Sequence, residues 1–137
     1  MLQKTKKDYQ EWMGVKAGIN NSEEIRKINE GDVVWVAVGE NVGVEIDGKS
    51  AKYSRPVIVL RKHSSLCFTG IPLTSQKHEG TWYHQFKFQE KIQTAVLIQA
   101  RLIDVRRVYS RMGKLSKSDY QSVLKSYLEL ISGKNMP

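Results

Sequence analysis

Arg55 stands directly before Pro56 and the β-branched apolar run Val57 to Leu60, in the stretch "SRPVIVLRK". A guanidinium keeps its proton and is costly to bury alone, so at the mouth of a buried strand it is either solvated or placed to meet an anion. Other polar groups also fall at strand ends. Thr74 and Ser75 close "GIPLTS", Gln99 and Arg101 interrupt "VLIQARLIDV", and Glu45 lies in a polar loop ahead of Arg55. Each has an ordinary reading on its own: a Thr-Ser turn, a strand-edge amide, a solvated loop charge. In a small barrel, groups at one rim can meet although they are far apart in sequence, and together these supply a fixed cation, hydroxyl groups and a carboxylate, with the cation placed for an anion site.

Other chemistries are less well supplied. His63 and His78 fall in polar turns, and His84 shares a strand face with Trp82, Phe86 and Phe88; solvation or packing explains them better than a catalytic histidine pair. There is no phosphate-cradling glycine loop before a helix, no metal-spaced Cys/His set and no Gly-x-Ser-x-Gly elbow, so neither cofactor nor metal is expected. The single cysteine, Cys67, lies in the apolar stretch "LCFTGIPL" and reads as a reduced thiol in a core strand.

The elements that must hold these groups follow from patterning. A chain of 137 residues suffices for one apolar core without staples. "GDVVWVAVG" is apolar on both faces and reads as a central strand, followed by a polar, glycine-rich loop over residues 39–54. A loop of that length in a compact domain is usually functional or disordered. Further strands follow Pro56, run through "LCFTGIPLTS" and "TWYHQFKF", and end in one or two within "QTAVLIQARLIDVRRV". Tyr120, Val123, Leu124, Tyr127, Leu128 and Ile131 recur at helical spacing, with Ser116 or Ser118 as cap and Gly133 as stop. Residues 1–28 form a polar, helix-prone arm able to dock through Trp12, Val15 and Ile19, with Ser22 capping a second short turn. The expected architecture is mainly β with helical additions: a small, strongly bent barrel over residues 29–137, a C-terminal helix and the N-terminal arm as accessory.

The net charge of +8 attracts polyanions, whether nucleic acid or an acidic protein. No segment reaches membrane-spanning length and the N-terminus has no hydrophobic signal region, so the expected address is the cytoplasm, with no membrane partner.

The stretches "GDVVWVAVGENVGVEIDGKSAKYSRPVIVL", "GIPLTS" and "VLIQARLIDVRRV...MGKLS", in that order over about residues 29 to 131, resemble the MazF/PemK/Kid family of toxin endoribonucleases from type II toxin–antitoxin systems. The resemblance implies an SH3-like β-barrel, a homodimer, an acidic antitoxin partner, and metal-independent cleavage of single-stranded RNA at short preferred sequences. It matches Arg55 and Thr74 to catalytic positions, and Glu45, Ser75 and Gln99 to positions lining the active site; Arg101 is a further candidate for substrate contact. One departure is Ile98, where well-known members carry an acidic residue.

RNA brings its own nucleophile, the 2′-OH, so the expected products are a 2′,3′-cyclic phosphate and a 5′-OH. Arg55 suits charge stabilisation first and proton donation second. Thr74 can donate its hydroxyl to the same phosphate with Ser75 supporting, and Glu45 is the candidate base. Two alternatives stay open at this point: a non-catalytic toxin of the CcdB kind, and an inactive relative that binds RNA or an acidic protein.

Overall fold

The computed structural model describes residues 8–49 and 53–133. Helix α1 (Tyr9–Asn20) precedes seven strands, β1 (Asp32–Ala37), β2 (Ser54–Lys62), β3 (Cys67–Thr74), β4 (Tyr83–Phe88), β5 (Lys91–Val96), β6 (Arg101–Asp104) and β7 (Val108–Lys114), and helix α2 (Lys117–Ser132) follows them. Single 3-10 turns, Leu97–Gln99 and Val105–Arg107, flank β6. The strands make one antiparallel sheet in the order β4-β5-β3-β2-β1-β7, with β6 also paired to β3.

Strand β3 bends the sheet. Its first half, Cys67 to Gly70, pairs with β6, and its end, Leu73 and Thr74, pairs with β5, so one strand feeds two diverging ladders. The wall is not closed by a ladder, because β4 and β7 are its two ends. The seam between them is crossed by the Gln89 side chain, which donates to the Met112 carbonyl at 3.0 Å.

Both faces of the central strands are apolar, as the sequence patterning predicts, and each face feeds a different cluster. Val33, Ile58, Leu60, Ile71 and Leu73 pack with Phe86, Phe88 and Leu97 under Val123 of α2. Val34, Val36, Val57, Val59 and Phe68 pack with Ile28, Ile103 and Val105 on the other side. The alternation arises because successive side chains of a strand point to opposite faces. A buried carboxylate, Asp32, opens β1; it accepts from the Asn29 amide at 2.9 Å and pairs with Arg111 of β7.

Helix α2 starts at Ser116, whose hydroxyl accepts from the Asp119 amide at 3.0 Å, and ends at Gly133 in the left-handed conformation. Helix α1 docks through Trp12, with Val15 and Ile19 beside it, as its spacing predicts. The expected second turn after Ser22 does not form. The Ser22 hydroxyl accepts from the Glu24 amide, a local bond that competes with helix, and residues 22–28 run on without regular structure. Cys67 is half-buried at the start of β3 rather than deep in the core.

Candidate active site

Arg55 and Thr74 meet because of strand register. Val57 of β2 faces Pro72 of β3, and the same register carried two residues further sets Arg55 opposite Thr74. Both line a cavity of about 490 Å³, with Ser75, Lys49, Lys91 and Gln93. None of the described residues lining it is acidic. The polar groups therefore present three cations and several hydroxyl and amide groups, a lining suited to a phosphate.

Arg55 is held rather than free to swing. Its Nε donates to the main-chain carbonyl of Asp47 across the polar loop. Burial lowers its pKa from the ordinary value, and the nearby Asp47 charge partly opposes that shift. A guanidinium stays protonated under such a shift. A half-buried cation is less screened by water, so its attraction for an incoming anion is stronger than at an open surface. Pro56 follows it in β2 without an N–H of its own to compete for that anion. The Thr74 hydroxyl accepts from the Gln76 amide at 3.2 Å, which leaves its proton available to donate.

The other predicted residues gather elsewhere. Glu45, Gln99 and Arg101 line a separate cavity of about 290 Å³ together with Asn41 and Ile98. The structure does not bring Glu45 to Arg55 and Thr74: its carboxylate accepts from the Val42 amide at 2.9 Å, within its own turn. Gln99 is committed to the loop. Its side-chain oxygen accepts from the Ile46 amide at 3.2 Å, and its side-chain nitrogen donates to the Val44 carbonyl at 2.9 Å. Because Gln99 grips Ile46 while the next residue, Asp47, holds Arg55, the two cavities flank one loop. The extended run over residues 39–54 anticipates this loop, although residues 50–52 lie outside the described residues.

Two glycines close the loop. The Gly48 amide donates to the Gly39 carbonyl at 2.8 Å, and the Gly39 amide donates to the Tyr53 carbonyl at 3.0 Å. A Cβ on Gly48 would run into the Tyr53 carbonyl. Lys49 and Ser54 exchange backbone hydrogen bonds, and Tyr109 of β7 donates its hydroxyl to the Ser54 hydroxyl at 2.7 Å. Sequence reading misses Lys49, Lys91, Asp47 and Tyr109. Lys91 and Gln93 reach the cavity because β4 turns into β5 through Gln89 and Glu90, both at positive φ. That turn lacks the usual Asn-Gly signal, so only the alternation of the two strands could have exposed it.

The histidines lie away from the cavity. His84 shares a 2.8 Å hydrogen bond with Ser126 of α2, His63 shares one of 2.7 Å with Thr69, and His78 stacks on Tyr83. Among the described residues no three His, Cys, Asp or Glu side chains cluster as metal ligands would, and no helix is long and apolar enough to cross a membrane.

Residues 29–131 match the PemK-like, MazF-like toxins of type II toxin–antitoxin systems. The fold is similar to that of the Mycobacterium tuberculosis toxin MazF-mt6, at 12% identity and a TM-score of 0.55, over 74% of this chain and 96% of that one. A crystal structure of an Mtb toxin aligns more weakly, at 15% identity and a TM-score of 0.48, over 55% of this chain and 90% of that one. No curated protein matches significantly.

Proposed function

Because the chain belongs to the PemK-like, MazF-like toxin family of type II toxin–antitoxin systems, we propose that it is an endoribonuclease that cleaves single-stranded RNA by internal attack of the 2′-OH. The observation that carries this reading is the shared cavity of Arg55 and Thr74, lined by further cations and by no described carboxylate. A phosphodiester in that cavity places its non-bridging oxygens against the Arg55 guanidinium and the Thr74 hydroxyl. As the 2′ oxygen bonds to phosphorus, negative charge grows on those oxygens, and donors fixed beforehand stabilise it without reorganising. The bond from phosphorus to the 5′ oxygen then breaks, the 2′ proton passing to solvent water and the 5′ oxygen taking one up from it, giving a 2′,3′-cyclic phosphate and a 5′-OH. Ser75 and the two lysines supply further donors to the same or adjacent phosphates.

Glu45, Gln99 and Arg101 are assigned to the adjoining cavity, where Arg101 and Glu45 contact the neighbouring nucleotide and Gln99 secures the loop. That geometry argues against Glu45 as the proton acceptor for the attacking 2′-OH. Residues 29–137 form the toxin domain in this reading, two copies make the working dimer, and an antitoxin is the protein partner that a type II toxin implies.

The test is incubation of the purified protein with long single-stranded RNA in EDTA. Cleavage at discrete sites is expected, lost in Arg55→Ala and in Thr74→Ala proteins with unchanged circular dichroism. Near wild-type cleavage by folded Arg55→Ala protein overturns the site assignment, and intact but gel-retarded RNA favours a binding protein.

A further inference from the structure

The family match begins at residue 29, yet helix α1 lies before it and sits against the loop that holds Arg55. We propose that α1 is a brace for that loop, with Trp12 as a positioning residue for Arg55. The inference rests on the reading of the Arg55 cavity as the active site.

The contacts converge on both ends of the loop. Trp12 is buried against Ala37, where β1 ends, and Tyr53, two residues before Arg55, with its ring centroid 5.4 Å from that of Tyr53. The indole also fills the space beside Gly39, where a Cβ would overlap it. The Tyr9 hydroxyl donates to the Asn41 carbonyl at 2.8 Å, which fixes the start of the loop to the first turn of the helix. On the far side, the Arg107 guanidinium lies 5.8 Å from the Trp12 ring centre and donates to the Ala37 carbonyl at 2.9 Å. The other end of the helix is tied by Arg106, which donates to the Asn20 carbonyl at 2.8 Å.

Tyr53 shows why a brace is needed. Its φ of 53° is left-handed, a conformation that a bulky side chain adopts only when its surroundings hold it there. The Trp12 ring packs on that side chain, while the Tyr53 carbonyl receives the Gly39 amide. Burial, followed by the Glu11 and Asp8 charges of the arm, raises the Tyr53 phenol above its ordinary pKa, consistent with a ring enclosed by α1. Removing the indole frees Tyr53, and the loop carbonyl that holds Arg55 loses its fixed place. Misplacement of a catalytic group by about 1 Å costs roughly 10²-fold in rate.

The experiment uses the full chain with Trp12→Ala, Trp12→Phe and Tyr9→Phe substitutions. Trp12→Ala is expected to lower kcat on single-stranded RNA by about 10-fold to 100-fold with little change in KM, and Trp12→Phe to restore most of it. Amide exchange should accelerate at Gly39, Gly48, Lys49 and Ser54 while Val57 and Ile71 keep their protection. Wild-type kcat in Trp12→Ala, or exchange that rises equally across the sheet, overturns the brace. Should Trp12→Ala misfold, Tyr9→Phe decides: faster exchange at Gly48 and Lys49 supports the brace, and unchanged exchange there overturns it. If the wild-type protein leaves RNA intact, the endoribonuclease reading fails, and the exchange pattern alone then judges the brace.

Discussion

In the proposed reaction, Thr74 and Arg55 divide one task between two kinds of donor. The guanidinium supplies charge and paired N–H groups, and the hydroxyl supplies a single short-range donor whose oxygen is already oriented by the Gln76 amide. Thr74→Ser keeps that hydroxyl and should retain most activity, whereas Thr74→Val keeps the shape without the donor and should lose about 10²-fold to 10³-fold in kcat. Single-turnover cleavage of a short RNA separates the two; equal activity in both variants would remove Thr74 from the chemistry. His84 gives a second residue-scale expectation, on stability. Burial lowers its pKa from 6.5 in the folded chain, with Asp119 opposing the shift. Below that value the unfolded chain takes up a proton that the folded chain resists, so stability falls as pH drops from about 6.5 toward the folded pKa and is level above it. Thermal midpoints measured from about pH 5 to 8 should show this slope in the wild type and lack it in His84→Gln. A slope that persists in the variant assigns it to other groups. Residue types made Arg55, Thr74 and Ser75 visible in the sequence because a rigid strand end is a local feature. The separation of Glu45 from them was not visible, since it depends on how the loop folds back through Gln99.

At the scale of elements, the polar loop between β1 and β2 is the part that most needs particular residues. Its length and composition marked it as either functional or disordered, and its closure depends on contacts distant in sequence. Gly48 lies against the Tyr53 carbonyl, so Gly48→Ala must push the loop away from β2. The strands do not depend on that contact, because their cores lie in other clusters. Gly48→Ala should therefore lose most RNA cleavage while the far-ultraviolet spectrum stays native; full activity would show that the loop tolerates an opened form. The strands and α2 were legible for a different reason. Apolar alternation on two faces and a capped, 3.6-periodic helix are written within each segment. The turn through Gln89 and Glu90 and the failure of the Ser22 turn were not, as tertiary pairing decided the first and a local side-chain bond the second.

The whole molecule carries a net charge of +8, and part of that excess surrounds the cavity as Arg55, Lys49 and Lys91. A polyanion is thus drawn toward the chain before any specific contact forms, and the same field acts on RNA and on an acidic antitoxin segment. For single-stranded RNA each neutralised phosphate contributes about 0.7 to the slope of log affinity against log salt. Binding of a non-cleavable RNA analogue measured over a salt series should weaken steeply, and Lys49→Ala or Lys91→Ala should each flatten the slope by about that amount. A disordered acidic antitoxin tail would meet the same groups, and folding on contact would let it cover the cavity and the loop together. Co-expressed with a cognate antitoxin, the protein should co-purify with it and lose access to RNA, and the association rate should fall as salt rises. The lysine substitutions should slow that association in the same order in which they weaken RNA binding. An antitoxin that binds tightly while cleavage continues, or an association rate indifferent to salt and to both lysines, would place its docking surface on another face of the molecule.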